Sequence, residues 1–128
     1  MLKSVAAVTL TVLTSLTIVS LPSHAQSNST QTSPDVELSI ALNRAKNLAR
    51  MAAEKTNGGL GFYRAESSMH GPASDSPYVD NGNGSWTFTF KGGEPGSTTL
   101  SVESVVSVSR DGSQVRVDYN GPVRSTGQ

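Results

Sequence analysis

The stretch that decides the fold is Thr98–Tyr119, TTLSVESVVSVSRDGSQVRVDY. Two runs of alternating apolar and polar residues flank Asp111-Gly112, and such alternation is typical of β-strands with one buried face. Asp-Gly is a strong signal for a two-residue hairpin, because a type I′ turn needs positive φ at both central positions. The stretch therefore predicts an antiparallel hairpin with its tip at Asp111-Gly112.

This tip also predicts which strand residues lie opposite each other. It places Val108 opposite Val115, Val106 opposite Val117, and Ser104 opposite Tyr119. Because residues two apart in a strand share a face, one face of the hairpin is predicted to be apolar. That face would carry Leu100, Val102, Val106, Val108, Val115, Val117 and Tyr119. The other face carries hydroxyls and isolated charges, with Val105 as the exception, so we expect a sheet with one solvated face.

An amphipathic helix is predicted upstream, over Pro34–Thr56. Ser33-Pro34-Asp35 is a typical helix start, and Asn57-Gly58-Gly59 supplies the left-handed residue that ends many helices. Apolar residues recur at three- and four-residue spacing between these signals, which is the helical period. They are Leu38, Ala41, Leu42, Ala45, Leu48, Ala49 and Ala52.

A third strand is predicted over Ser85–Lys91, SWTFTFK, where three aromatic residues alternate with polar ones. Between helix and strand, we expect a short strand at Leu60–Glu66 and a loop over Ser67–Ser76. A brief pairing at Pro77–Val79 and a turn at 80–84 would complete this segment.

The predicted fold class is α+β, with one N-terminal amphipathic helix packed on a three- to four-stranded antiparallel meander. Its order of elements resembles the cystatin-like and PepSY-like arrangements. The inhibitory Q-x-V-x-G loop of cystatins is absent, since Gln114 is followed by Val115-Arg116-Val117-Asp118. No cystatin activity is therefore expected, because a shared fold does not carry function.

The chain is predicted to begin with a bacterial signal peptide over residues 1–25. Lys3 precedes an apolar run at Ala6–Val19, and Ser23-His24-Ala25 fits the small-x-small cleavage pattern. The run is short and rich in hydroxyls, which argues against a transmembrane anchor, and no membrane span is expected after cleavage. We expect a disordered linker at 26–33, one domain at 34–124, a tail at 125–128, and a periplasmic or extracellular location.

The composition argues against several classes of function. The 128 residues have zero formal net charge and no cysteine, so the domain is expected to be stable without disulfides. Lys and Arg are scattered rather than clustered, which argues against nucleic-acid binding. Neither a cofactor nor a metal is predicted, since His70 would be the only histidine left after cleavage and a zinc site usually needs four Cys or His ligands.

Catalysis has one candidate cluster, the segment that contains Ser67, Ser68, His70 and Asp75. A catalytic triad needs a nucleophile held beside oxyanion donors, and no G-x-S-x-G elbow is present. A small hydrolase or accessory enzyme that uses His70 is kept as the alternative function.

The leading hypothesis is a non-enzymatic exported module that binds a protein or an envelope component. Its motivation is a concentration of aromatic, Met and Arg side chains, the types that binding surfaces favour. The competing interpretation is that Phe62 and Tyr63 complete the core and the others decorate a loop. The candidate binding residues are Tyr63, Arg64, Glu66, Met69, His70 and Tyr78.

Overall fold

The structure is a computed structural model that describes Ser20 and residues 32–125. Apart from Ser20, the predicted signal peptide lies outside the described residues, as do linker residues 26–31 and tail residues 126–128. In the part of the chain that is described, no helix has the length and apolar character needed to cross a bilayer.

One helix packs against a five-stranded antiparallel sheet, which confirms the α+β class. Strands β3, β4 and β5 form a meander, while β1 and β2 both pair with the other edge of β3, at its end and its start respectively. Two 3-10 turns, Ser67–Met69 and Ala73–Asp75, lie between β1 and β2. The elements are α1 (Pro34–Thr56), β1 (Arg64–Ala65), β2 (Tyr78–Asp80), β3 (Ser85–Gly93), β4 (Val102–Ser109) and β5 (Val115–Pro122).

Helix α1 has the predicted bounds, and both of its ends are capped by backbone hydrogen bonds. At the start, the carbonyl of Ser33 accepts hydrogen bonds from the third and fourth residues after it, while its hydroxyl makes no capping bond. At the end, Gly59 N–H donates to the Glu54 carbonyl at 2.8 Å and Gly58 N–H donates to the Lys55 carbonyl at 3.3 Å. These two bonds form a Schellman motif, and Gly58 supplies its left-handed residue with φ +94°.

Small side chains form the part of the helix that packs on the sheet. Ala45, Ala49 and Ala53 are buried, and their size lets the helix approach the strands closely. Leu38 was predicted to lie in this face but is 44% exposed. All residues from 33 to 40 are exposed, because the first two helical turns extend past the buried core, which begins at Ala41.

The core between helix and sheet contains the predicted aromatic strand. Trp86, Phe88 and Phe90 are buried together with Val106 and Val108. Tyr63, Ala65 and Met69, all from the segment between α1 and β2, complete this cluster.

A buried hydroxyl in β4 connects this core to a polar contact at its edge. Ser104 donates to the side-chain oxygen of Asn120 at 2.7 Å. The amide groups of Asn120 and Asn57 exchange two hydrogen bonds, at 2.9 and 3.0 Å. These bonds tie the end of the helix to the last strand.

The predicted register holds near the hairpin tip and fails farther along. Val108 pairs with Val115 and Val106 with Val117, but a β-bulge then shifts the pairing so that Tyr119 lies opposite Val105. Directly paired residues share a face, so Tyr119 lies on the outer face of the sheet, and its prediction as a core residue is wrong. The physical reason is the extra residue Asp118, whose carboxylate accepts a hydrogen bond from Ser107 on the outer face.

The turn at the tip also differs from the predicted type. No non-glycine residue in the described part of the chain has positive φ, so Asp111 does not adopt the conformation that a type I′ turn requires. Instead, Gly112 N–H donates to the Ser109 carbonyl at 2.9 Å, and Gly112 alone has positive φ in this turn. The Ser109 hydroxyl, followed by the N–H and hydroxyl of Ser113, stabilises the Asp111 carboxylate and lowers its pKa to about 2.

The segment between helix and aromatic strand is less extended than predicted. The strand expected at Leu60–Glu66 is reduced to β1, because the N–H groups of Phe62 and Tyr63 both donate to the Gly59 carbonyl and form a turn. The pairing expected at Pro77–Val79 is present one residue later, as β2.

Candidate functional site

Two of the six candidate binding residues lie inside the core. Tyr63 and Met69 are buried, so neither offers surface to a partner. The Tyr63 ring packs directly on Gly92 of β3, where a Cβ atom would overlap the ring. Burial raises the pKa of the Tyr63 hydroxyl, with a smaller opposing effect from Ser104. The sequence hypothesis assigned these two residues to a surface, and the structure assigns them to packing.

Arg64 and Glu66 remain accessible and lie close together. Both line a shallow groove of about 290 Å³ that also includes Glu94 and Leu100. The Glu66 carboxylate accepts the Lys91 backbone N–H at 2.7 Å, and the Glu66 N–H donates to the Lys91 carbonyl at 2.8 Å. Glu66 therefore holds β1 against β3.

Tyr78 lies some distance from that pair. It is opposite Phe88 on β3, whereas Arg64 is opposite Gly93. Five residues of strand separate the two positions, about 17 Å at the usual rise per residue. The ring of Tyr78 packs against the Phe88 ring, with 6.4 Å between centroids. The predicted residues therefore do not form one continuous surface.

His70 is exposed, and its Nε2 lies 3.2 Å from the Ala65 carbonyl oxygen. Among the described residues, no hydrogen bond joins its ring to Ser67, Ser68 or Asp75. An enzyme that uses His70 thus stays a prediction, to be checked by loss of activity in His70→Ala.

A larger concave surface lies where the helix extends beyond the core. We call it the helix–turn groove, and its volume is about 590 Å³. The helix contributes Asp35, Leu38, Ser39, Ile40, Leu42 and Asn43. The facing wall is Pro72-Ala73-Ser74, from the second 3-10 turn and the residue before it. Leu38 and Ile40 are 44% and 55% exposed, so the groove presents apolar surface to solvent.

The facing wall is held rigidly against the helix. Ser76 donates both its hydroxyl, at 2.6 Å, and its N–H, at 3.1 Å, to the Ala73 carbonyl. From the helix, the Lys46 ammonium donates to the Gly71 carbonyl, directly before the wall. Lys46 is buried, and this desolvation, followed by the nearby charge of Arg50, lowers its pKa. The wall therefore exists before any ligand arrives.

A carboxylate lies in the lining of the groove, while the Lys46 ammonium is bound to the backbone carbonyl directly before the facing wall. Among the described residues that line the groove, Asp35 is the only charged one, and Asp75 directly follows the facing wall. Arg44, the cation nearest to these lining residues along the helix, donates to the Asp111 carbonyl at the hairpin tip. A groove lined by apolar side chains and one carboxylate is complementary to an apolar segment that carries a basic side chain.

Sequence reasoning missed this groove. The signal for it was Ile40, an apolar residue that falls outside the predicted buried face of the helix because it lies two residues from Leu38. Across the described residues, no three His, Cys, Asp or Glu side chains come together in a way that would hold a metal ion. No protein-family model, curated protein or solved structure matches the chain. The groove is thus the strongest structural indication of function.

Proposed function

We propose that this protein is an exported, non-enzymatic binding module that takes an apolar, Lys- or Arg-bearing segment of a partner protein into the helix–turn groove. The observation that carries the proposal is the groove of about 590 Å³, whose lining includes the exposed side chains of Leu38 and Ile40. Export is supported by the sequence pattern of residues 1–25, and binding by the preformed facing wall at Pro72–Ser74.

The expected energetics favour modest affinity with clear orientation. Complete burial of a leucine or isoleucine contributes about 1.5–3 kcal/mol, so two half-exposed side chains contribute about 1 kcal/mol each. The Asp35 carboxylate is exposed, and a rim charge mainly steers the partner and sets its direction.

The test is site-specific photocrosslinking in the producing cells. A benzophenone amino acid replaces Ser39, which lines the groove, or Ser113, which lies at the hairpin tip and is not among the residues that line the groove. We expect a discrete adduct from position 39 alone, with the crosslinked peptide of the partner containing apolar and basic residues. Mass spectrometry of the same samples checks export, with Gln26 expected as the first residue.

Matched variants test whether the groove itself makes the contact. Ile40→Glu replaces an apolar side chain of the groove lining with a carboxylate. It should reduce the amount of adduct about tenfold, since burying an unpaired charge is costly. Val36→Glu makes the same change one turn earlier, at an exposed position that does not line the groove, and should leave the adduct intact. Equal adducts from positions 39 and 113, or capture of a second copy of this chain, would overturn the proposal.

A further inference from the structure

We propose that a second surface of this protein, the glycine turn Gly58–Phe62, inserts into the headgroup boundary of an anionic phospholipid bilayer. Leu60 and Phe62 are 66% and 73% exposed. The other three residues of the turn are glycines, so these two apolar side chains are the only ones that it presents. The inference is independent of the helix–turn groove.

The backbone of the glycine turn is fixed on both sides. On the helix side, Gly58 and Gly59 have φ of +94° and +95° and make the two Schellman hydrogen bonds. On the strand side, Phe62 and Tyr63 N–H groups donate to the Gly59 carbonyl at 3.0 Å each, and the Tyr63 ring is buried. Leu60 and Phe62 therefore project from a turn whose backbone is fixed by hydrogen bonds at both ends.

Two cations flank the glycine turn along the chain. Lys55 and Arg64 are exposed, and neither forms an ion pair with a carboxylate of the described residues. Of the neighbouring acids, Glu54 pairs with Arg50 at 2.8 Å, while Glu66 keeps its charge and accepts the Lys91 N–H at 2.7 Å. Glu66 and Glu94 both line the shallow groove with Arg64.

This combination fits a lipid surface. Interfacial binding scales with the apolar area inserted plus the attraction of basic side chains to anionic headgroups. A bilayer accepts two projecting side chains without a matching pocket. The whole chain has zero formal net charge, so the attraction must come from the cations beside the turn rather than from the molecule as a whole.

The first measurement locates the contact. In protein recovered from the producing cells, Phe62→Trp places a reporter in the turn, against a constant background from buried Trp86. Vesicles of phosphatidylethanolamine and phosphatidylglycerol should shift its emission to the blue, and brominated lipid should quench it. The matched control is Val79→Trp on β2, which is 63% exposed and should respond to neither. Equal responses at positions 62 and 79, or none at 62, would overturn the proposal.

The second measurement separates the apolar and charged contributions in vesicle co-sedimentation. Lys55→Gln/Arg64→Gln should weaken binding to anionic vesicles about 25-fold, from about fivefold per cation, and raised salt should weaken wild-type binding. Leu60→Ser/Phe62→Ser should abolish sedimentation while Val79→Ser sediments as wild type. If Leu60→Ser/Phe62→Ser sediments like wild type and changes only the oligomeric state, the glycine turn is a protein contact and the lipid proposal fails. The groove variant Ile40→Glu should keep vesicle binding, so failure of one proposal is distinguishable from failure of the other.

Discussion

Gly92 in β3 leaves the space that the ring of buried Tyr63 occupies. Its φ is not positive, so its requirement is purely steric: a Cβ would overlap the ring of buried Tyr63. We expect Gly92→Ala to destabilise the domain by about 1–3 kcal/mol, the usual cost of overpacking a core. Urea unfolding followed by circular dichroism measures this loss.

A glycine in open space provides the control for that substitution. A Cβ on Gly61 meets nothing within 4 Å, and its φ is not positive. Gly61→Ala should therefore change stability by less than about 0.5 kcal/mol. If both alanine variants unfolded at the same urea concentration, the close approach of Tyr63 to Gly92 would not be a constraint on the fold.

Residue type alone did not distinguish surface residues from core residues among the candidates. Tyr63 and Met69 were predicted to bind because aromatic and Met side chains are common in interfaces, yet the same side chains fill cores. Arg64 and His70, whose charge or polarity keeps them near water, are exposed as expected for surface residues. The sequence cannot separate the two destinations for a large amphipathic side chain, since the choice depends on what packs opposite it.

At the scale of elements, β4 tests the assignment of the two faces of the sheet. Val106 is buried, whereas its neighbour Val105 is half-buried on the outer face beside Tyr119. Val106→Asp should unfold the domain, because it places an unpaired carboxylate in the core. Val105→Asp should cost only about 1 kcal/mol, as most substitutions outside the core do. Urea melts of the two variants measure the difference, and equal loss of stability would contradict the assignment of a solvated outer face.

The hairpin also shows which parts of an element are readable from sequence. Pairing near Gly112 depends on a turn and a few alternating residues, so Val108 and Val115 were matched correctly. The bulge was not predicted, because Asp118 continues the polar–apolar alternation and nothing local marks it as extra. What stabilises the bulge is a contact with Ser107 on another strand, and such contacts appear only in three dimensions.

At the scale of the whole molecule, three aspartates are expected to make the free energy of unfolding depend on pH in the acid range. The Gly82 N–H first, then Arg110, lowers the pKa of Asp80, while the Ser107 hydroxyl lowers that of Asp118 and the Ser109 hydroxyl lowers that of Asp111 to about 2. The unfolded chain takes up these protons near pH 4, above the folded pKa values. Their contribution is thus present above about pH 4 and is lost as pH falls towards 2.

Urea unfolding between pH 6 and pH 2 checks this expectation. The wild-type midpoint should be constant down to about pH 4 and then fall, because below that pH the unfolded state binds more protons than the folded state. Asp111→Asn should begin from a lower midpoint and lose less of it on acidification, since it lacks one of the three groups. Parallel curves for the two proteins would show that Asp111 does not contribute to the acid sensitivity.

The overall architecture was more predictable than the candidate site. The capping signals around Pro34–Thr56 and the aromatic alternation of Trp86, Phe88 and Phe90 are local, and they were sufficient for the class of the fold. The helix–turn groove depends on how far the helix extends beyond the core, a relation between elements distant in sequence. Leu38 was therefore predicted to be a core residue, although it lines the groove.

That overhanging part of the helix has a dynamic consequence. Residues 34–40 make little contact with the rest of the domain, so their hydrogen bonds open with low free energy, while those around Ala49 exchange only when the whole domain unfolds. A short helical end without tertiary packing is marginal in water. A partner seated in the groove would slow amide hydrogen exchange in these two turns, and its affinity would include the cost of ordering them. Binding of the partner and formation of the first two helical turns would therefore be coupled equilibria.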